Sequence, residues 1–479
     1  MKNIYTIAVA ALTLSACSSD NLDLYPEAQL TSGNFYGTET QLLQASNDIY
    51  RQLGRIYNVN GIPDLYEERA SDNVYIKLAS GGGTESVDIV NHDIKTNNSL
   101  LENAWNTAYN AVYIINNIVE NLEETNISFS DPALRSRLIA ESKTIRALIY
   151  YNLVQAWGDV PLVLNVISPS ESYSYGRESK SHILEQLISD LKESASHLPD
   201  RYTGNDVGRI TKYAATAVLA KVYLLQGDKT NATAELKKII DSQIYSLDAN
   251  NDGQTDIKDF AYLFAQDTKN SKESIIEVQY LAGENNVNSS HQELYAPWHF
   301  SFHLPESTIA FRGSGLNTPT ESIITEYEEN DNRKDLSLQE GFIDLQTGEF
   351  VDYPYTIKFY DSNYLYPGQN FEIIRYADIL LLYAELTNDS SYLNQVRTRA
   401  GLPEYGSPQY PTSKYPTLAD AIDHERRVEL AFEFHRFSDL VRTGRAKNEL
   451  GLADYQLLFP VPQNVIDVNP IITQNAGYN

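Results

Sequence analysis

Aromatic side chains are concentrated in one short stretch of this 479-residue chain. The segment from Glu293 to Arg312 reads ELYAPWHFSFHLPESTIAFR, and five rings fall within its eight positions 295–302: Tyr295, Trp298, His299, Phe300 and Phe302. A flat ring can bury the apolar face of a pyranose while neighbouring polar groups bond its hydroxyls. We predict ligand contacts at Tyr295, Trp298, His299 and Phe300. The alternative for Trp298 is a loop anchor buried under Pro297 and Leu304.

A second candidate segment runs from Asp64 to Lys77 and reads DLYEERASDNVYIK. It lies in a stretch without sustained helical periodicity, where binding residues are often found. Asp72 and Asn73 offer polar groups, and Tyr75 offers a ring for stacking. We predict these three residues as further ligand contacts, on residue type and location alone. The alternative for Tyr75 is a structural role in packing.

Oxygen-bearing side chains alternate in the stretch DANNDGQTDIKDF in the pattern of an EF-hand calcium loop. Positions 1, 3, 5, 6, 7, 9 and 12 of that pattern fall on Asp248, Asn250, Asp252, Gly253, Gln254, Asp256 and Asp259. Position 12 is Asp rather than Glu, and Thr255 stands at position 8, where an apolar residue is usual. We predict that all of these residues except Gly253 bind one structural calcium ion, with a dissociation constant of ~0.1 to 1 mM. The alternative is a surface turn that binds no ion.

Catalytic motifs are absent from the sequence. It has no His-Glu-x-x-His zinc motif, no Gly-x-Ser-x-Gly elbow and no Walker loop. Adjacent carboxylates such as Glu67 and Glu68 are uninformative among 64 acidic residues, because a glycosidase pair is defined by a separation of ~5 to 9 Å in space. We therefore predict a binding protein and not an enzyme.

The formal charge of −27, from 37 basic and 64 acidic residues, argues against nucleic acid or other anionic polymers as the main ligand. A local basic patch could override this average. Tyrosine occurs 34 times, and most of these side chains must be structural. Composition alone therefore selects no ligand.

Cys17 is the only cysteine. It follows Lys2, a short apolar run from Ile4 to Leu14, and the small residues Ser15 and Ala16. The run is shorter than the ~20 residues that cross a bilayer, so residues 1–16 are predicted to be a secretory signal peptide. Leu-Ser-Ala-Cys resembles the lipobox of bacterial lipoproteins, which implies that Cys17 carries a lipid anchor; the alternative is a chance free cysteine. Residues 17–31 are then a flexible lipidated leader.

The remaining chain, residues 32–479, is predicted to form a single, mainly α-helical body. Helical patterning covers residues 37–55, 101–242 and 372–445, and loop-rich regions at 56–100 and 243–371 carry the two candidate binding segments. Within the scaffold we expect continuous helices from Glu372 to Leu386 and from Leu418 to Arg442. Small residues around Ala214 and Ala220 indicate helical hairpins that approach closely, in the manner of tetratricopeptide repeats.

Five blocks of the sequence resemble the SusD/RagB family of outer-membrane nutrient-binding lipoproteins. They are RALIYYNLVQAWGDVPLV (146–163), GRITKYAATAVLAKVYLLQGD (208–228), RYADILLLYAE (375–385), ERRVELAFEFHRFSDLVRTG (425–444) and LFPVPQNVIDVNPIITQNAGY (458–478). The resemblance implies a SusD-like fold of four tetratricopeptide-like helical hairpin units packed against an irregular ligand-binding region with few short strands. These blocks belong to the scaffold, and we expect Arg375, Arg426, Arg427 and Arg436 in them to be structural partners of acidic residues.

The resemblance also implies a function. It predicts a lipid-anchored protein of the cell outer membrane, exposed at the surface, that binds an oligosaccharide or polysaccharide. It further predicts delivery of that nutrient glycan to a SusC-like TonB-dependent transporter. Two alternatives stay open on the sequence alone: a surface glycoside hydrolase or lyase, and a helical-repeat adaptor that binds only protein. The sequence identifies no particular sugar, and a peptide-derived ligand is also open.

Overall fold

The computed structural model describes residues 36–77, 83–305, 307 and 310–478. The predicted signal peptide and leader, with Cys17, lie outside the described residues. The α-helices of the described part are α1 (Glu39–Ile56), α2 (Thr84–Val90), α3 (Ser99–Glu124), α4 (Leu134–Trp157), α5 (Lys180–His197), α6 (Lys212–Gln226), α7 (Lys229–Asp241), α8 (Ile257–Leu263), α9 (His291–Tyr295), α10 (Glu321–Ile324), α11 (Arg333–Ser337), α12 (Tyr376–Thr387), α13 (Ser390–Arg399), α14 (Leu418–Glu429), α15 (Arg436–Arg442), α16 (Ala446–Leu450) and α17 (Gln463–Val468).

Strands are few and short in this part of the chain. They are β1 (Val74–Tyr75), β2 (Ser274–Val278), β3 (Thr318–Pro319), β4 (Leu338–Ile343), β5 (Phe350–Thr356) and β6 (Phe371–Arg375). Three antiparallel pairs form, β1 with β3, β2 with β6 and β4 with β5. The predicted mainly α fold with few short strands is confirmed.

The long helices form the scaffold. From α3 to α7 each helix packs against the next, α1 packs on α3, and α12 packs on both α7 and α13. In α6 the small side chains of Ala214, Ala217 and Ala220 are fully buried, which lets neighbouring helices approach closely. The helix ends at Gly227, whose φ of 86° is left-handed and favours glycine. Helix pairing thus follows the alanine pattern that the sequence shows.

Two predicted helix boundaries are wrong. The expected helix from Leu418 to Arg442 is two helices, α14 and α15, because Phe432 and Phe434 between them have φ values of 68° and 62° and so interrupt it. The expected helix from Glu372 to Leu386 begins as strand β6 and becomes helical at Tyr376. In both places tertiary contacts override local helix propensity.

The described core is mainly one large hydrophobic cluster. Trp157 and Trp105 belong to it, with ring centres 5.1 Å apart in an edge-on arrangement, and the indole N–H of Trp157 donates to the Pro460 carbonyl. Both tryptophans are therefore structural residues of the scaffold helices α3 and α4. No helix within the described ranges is long and apolar enough to cross a membrane.

Arginines of the family-like blocks lie in buried ion networks. Arg375 is 1% exposed, and its guanidinium contacts Glu273 at 2.7 Å, Glu433 at 2.7 Å and also Glu429. Arg426 pairs with Asp378 and Asp439, each at 2.8 Å. Arg427 and Arg436 both form ion pairs with Asp72. The structural role predicted for these four arginines is therefore confirmed.

The loop-rich regions contain more regular structure than the sequence indicates. Residues 56–100 include a π-helix at Asp64–Arg69, strand β1 and helix α2. Residues 243–371 include the β4–β5 hairpin and a separate small core made of Ala296, Phe302, Leu304, Phe342, Tyr353 and Tyr355. This small core lies directly under the aromatic segment that the sequence singles out.

Candidate functional site

The loop after α9 is held in place by the backbone of residues 313–315. Gly313 N–H donates to the Pro297 carbonyl at 3.0 Å, and Gly315 N–H donates to the Ala296 carbonyl at 2.8 Å. A Cβ atom added at Gly313 would lie only 2.3 Å from the Ala296 carbonyl oxygen. This close approach requires glycine, and it fixes where the following aromatic residues emerge.

Trp298 and Phe300 present aromatic surface to solvent. Trp298 is half-buried, and its backbone N–H donates to the Tyr353 hydroxyl at 3.4 Å. Phe300 is 74% exposed. The guanidinium of exposed Arg312 lies 3.8 Å from the centre of the Trp298 ring and 5.1 Å from that of Phe300. A cation at these distances is attracted to the ring faces.

Tyr75 lies in the same neighbourhood as Trp298. Strand β1 places it opposite Thr318 of β3, and burial, Tyr353 and Asp352 together raise the pKa of its hydroxyl. The Lys77 ammonium lies 3.9 Å from the centre of the Tyr353 ring. Tyr353 is thus a buried support shared by both predicted segments. We call Tyr75, Trp298, His299, Phe300 and Arg312 the aromatic surface.

His299 forms one border of the aromatic surface. Its side chain is 35% exposed, and its ring packs edge-on against Phe342 with centres 5.2 Å apart. Its Nδ1 accepts the backbone N–H of Ser301 at 3.2 Å and lies 4.0 Å from the Asp344 carboxylate. The His299 imidazole and the Arg312 guanidinium therefore lie beside the rings, and both can hydrogen-bond hydroxyl groups.

Three predicted contact residues are bonded to other side chains of the protein, and two of them, Tyr295 and Asn73, are buried. Tyr295 is 2% exposed, and its hydroxyl donates to Asp64 at 2.7 Å. Asn73 is 1% exposed, and its side-chain oxygen accepts from Arg427 at 3.0 Å. Asp72 is held by Arg436 at 2.8 Å. Because these polar groups are bonded within the protein, the aromatic surface is defined without Tyr295, Asn73 and Asp72, and their ligand contacts stay predictions.

Sequence reasoning did not single out Arg312 and Tyr353. Arg312 ends the quoted aromatic segment, and its proximity in sequence to Trp298 was an available signal. Tyr353 comes from β5, and only the fold brings it under Trp298. The burial of Phe302 in the small core also separates it from its exposed neighbour Phe300.

The predicted calcium loop folds around its own backbone. Asp248 accepts the N–H groups of Asp252 and Gly253, each at 3.0 Å, and Gly253 has a φ of 86°. Asp256 and Asp259 form a capping box at the start of α8, in which Asp259 accepts the Asp256 N–H at 2.9 Å. Calcium ligands lie ~2.3 to 2.6 Å from the ion. Among the described residues, no three carboxylates of this loop bring oxygen atoms within 4.8 Å of one another. Calcium binding here stays a prediction.

One group of acidic and histidine side chains does converge within the described residues. The ligand atoms of Glu328, His424 and Glu425 all lie within 4.8 Å of one another. The Arg397 guanidinium lies 2.6 Å from Glu328 and 2.9 Å from Glu425, where a metal ion would otherwise neutralise them. His424 pairs with Glu326 at 2.6 Å and Glu328 at 3.1 Å. We interpret this group as an ion network.

The protein has a scaffold of packed helical hairpins and an aromatic surface on its loops. This architecture is typical of helical-repeat proteins that bind ligands. The model of the SusD family matches residues 190–457, and a family model described as "Starch-binding associating with outer membrane" matches residues 23–224. The chain therefore belongs to the SusD family.

Relatives of similar length support this assignment. "SusD-like protein P25" of Formosa agariphila is 26% identical, with 99% of each chain covered, and a "SusD-like protein" of Bacteroides ovatus is 24% identical, covering 91% of this chain and 82% of its own. Among solved structures, a "Laminarin binding SusD-like protein" superposes with a TM-score of 0.78 at 26% identity, over 92% of this chain and 100% of its own. "Surface glycan-binding protein A from Bacteroides thetaiotaomicron in complex with laminarihexaose" superposes with a TM-score of 0.75 at 21% identity. The superposition covers 91% of this chain and 99% of its own, and it shows the shared fold.

Proposed function

We propose that this protein is a non-catalytic glycan-binding subunit that captures an oligosaccharide or polysaccharide at the aromatic surface. The observation that carries the proposal is the cluster of Trp298, Phe300 and Arg312, which presents aromatic rings and a guanidinium to solvent. Large apolar side chains that stay exposed on a stable body mark interaction sites. Two related structures are named for laminarin and for a laminarihexaose complex, so a neutral β-glucan is the first ligand to test.

The geometry suits an open site that binds chains rather than a closed pocket for one small molecule. Trp298 offers a ring for the apolar face of a pyranose, and Tyr75, which also lies near Tyr353, supplies a second ring. Arg312, which is exposed, and His299, whose side chain is 35% exposed, can bond ring hydroxyls. Arg312 stacks on the Trp298 ring in the free protein, so it either shares that ring with the sugar or moves aside.

We further propose that Cys17 is lipidated and anchors the body to the outer surface of the outer membrane. Lipidation at the sulfur and the new amino terminus would supply several acyl chains, and each buried CH2 contributes ~0.8 kcal/mol to membrane attachment. The family description of association with the outer membrane supports this location. In this proposal the captured glycan passes to a SusC-like TonB-dependent transporter.

Calcium is part of the proposal as a structural ion in the loop from Asp248 to Asp259. The spacing of oxygen ligands and the left-handed Gly253 support it. Asp259 is 1% exposed and bonded to backbone N–H groups, so ion binding requires it to exchange those bonds for the metal.

The test is calorimetric titration of residues 18–479 with laminarihexaose, followed by a panel of other neutral and acidic glycans. We expect saturable binding of one glycan class without release of reducing ends, and loss of it in Trp298→Ala. Tyr173→Ala is the matched control, because Tyr173 is 53% exposed on the short helix Glu171–Ser174, away from the loops of the aromatic surface.

Three results would count against the proposal. Binding that survives Trp298→Ala would remove the aromatic surface as the site. Bond cleavage would favour the hydrolase or lyase alternative. Failure to bind any glycan, with intact folding, would favour a peptide ligand or a protein adaptor.

A further inference from the structure

A second cavity lies inside the helical scaffold, apart from the aromatic surface. It has a volume of about 330 Å³ and lies between α4, α6, α12, α14 and α15. Its apolar wall includes Leu224, Leu382 and Val441. Exposed Gln226 and Gly227 line it as well, so the cavity opens to solvent at the end of α6. The volume falls within the range of sites for small molecules.

The charged lining of this cavity is mostly positive, although the whole chain carries −27. Its lining includes four cationic side chains, Lys180, Lys221, Arg426 and Arg442, and one carboxylate, Asp439. Lys221 pairs with Asp378 at 2.9 Å behind the wall, and the two arginines also have acidic partners. Lys180 has no carboxylate within 4 Å among the described residues; burial lowers the pKa of its ammonium group, and the charge of nearby Asp159 opposes this shift only in part. A half-buried ammonium group without a direct ion pair is therefore left beside the cavity.

His435 and Tyr151 also line the cavity, and each has polar side-chain atoms without a hydrogen bond in the described part of the chain. His435 is 7% exposed, and its imidazole makes no hydrogen bond within the described part of the chain. The Tyr151 hydroxyl likewise has no described partner. Burial lowers the pKa of His435 to about 4, with Lys221 and Arg426 favouring and Asp378 and Glu433 opposing this shift. The ring is neutral at pH 7 and offers one N–H donor.

Unpartnered buried polar groups destabilise a protein unless water or a ligand satisfies them. Here the available groups are an ammonium, an imidazole N–H and a phenol O–H, so the donors outnumber the acceptors. A carboxylate or another small oxyanion in the cavity would accept from these donors and supply the direct ion pair that Lys180 lacks.

We propose that this cavity is a second binding site, specific for a small molecule with one anionic group, held by Lys180, His435 and Tyr151. The site is independent of glycan binding, because it lies in the helical scaffold and shares no residue with the aromatic surface.

The test is titration of residues 18–479 with acetate, sulfate and inorganic phosphate as probes, in a buffer without other oxyanions. We expect saturable uptake of at least one probe. Lys180→Gln should weaken it by about 10-fold or more, since a hydrogen bond to a charged group contributes ~1.5 to 3 kcal/mol. Lys237→Gln is the matched control, because Lys237 is an exposed helix lysine paired with Asp241 at 2.7 Å.

His435→Gln provides the second variant, with the melting temperature of each variant measured to confirm folding. Loss of uptake in Lys180→Gln, with uptake kept in Lys237→Gln and Trp298→Ala, supports the anion site. The proposal is overturned if no probe binds saturably, or if both Lys180→Gln and His435→Gln bind like the wild type. Binding of glucose in place of every anion would also overturn it.

Discussion

Replacing His424 with glutamine tests whether a buried ion network links three distant segments. His424 of α14 is 1% exposed and pairs with Glu326 at 2.6 Å and Glu328 at 3.1 Å. Its ring stacks on Tyr415, with centres 3.8 Å apart and planes 20° from parallel. Further charges face the network from Arg397, Lys414, Glu425 and Arg427. Glutamine keeps a polar side chain and removes the charge.

The pKa values in the network define the pH range of the effect. Burial lowers the pKa of His424, but hydrogen bonds to Glu326 and Glu328 outweigh it and raise the pKa above 6.5. Burial raises the pKa of both carboxyls, but the hydrogen bond from His424 and nearby cations lower each to about 2. The histidine contribution is thus complete below pH 6.5 and is lost as pH rises through the raised pKa. The glutamate contribution is present above pH 4.5 and is lost as pH falls towards 2.

Each hydrogen bond between charged groups contributes ~1.5 to 3 kcal/mol, and burial of the imidazolium offsets part of the total. Both carboxylates are partly exposed, so solvent screening reduces the sum further. We therefore expect His424→Gln to lower the free energy of unfolding by about 2 kcal/mol near pH 6.

The assay is urea unfolding followed by circular dichroism at pH values of about 5.5, 7 and 8.5. The difference between wild type and His424→Gln should be largest at the lowest pH and shrink as the pH rises. His182→Gln is the control, because His182 is exposed on α5. A difference that stays constant over the three pH values would refute the assignment of a charged His424.

Three further predictions concern the scaffold, the binding loop and the calcium loop. Arg375→Met leaves three buried glutamates without their shared partner, and urea unfolding should show a loss of ~3 to 5 kcal/mol; a loss under 1 kcal/mol would contradict the network. Gly313→Ala should displace the loop, because the added methyl group would clash with Ala296, and calorimetry should then show weaker glycan binding. Unchanged affinity would show that this loop is not part of the binding site. Asp248→Ala should abolish any rise in melting temperature on adding millimolar calcium; equal rises in variant and wild type would place the ion elsewhere.

Sequence patterns predicted the scaffold well because helix periodicity and small residues act locally. The alanines of α6 are buried as their spacing indicates, and the blocks around Arg375 and Arg426 hold the expected structural arginines. Helix ends were harder to predict where tertiary packing determines the backbone conformation. The left-handed Phe432 and Phe434 divide one predicted helix into two, and no feature of either side chain favours that conformation.

The candidate site was only partly predictable. Tyr295, Trp298 and Phe300 are near neighbours in sequence, but the first is buried against Asp64 and the last is 74% exposed. A loop has no fixed periodicity that would tell inward from outward positions. Tyr353, which supports Trp298, lies 55 residues away along the chain, and only folding brings the two together.

The sequence by itself determined the family, the helical class and the chemistry available to the loops, because motif order, periodicity and composition are local properties. The tertiary structure decided which aromatic residues reach solvent, which acidic residues form ion pairs with buried arginines, and that Lys180 faces a cavity. Those outcomes depend on contacts between segments that are far apart in the chain, and burial is a property of the assembled fold.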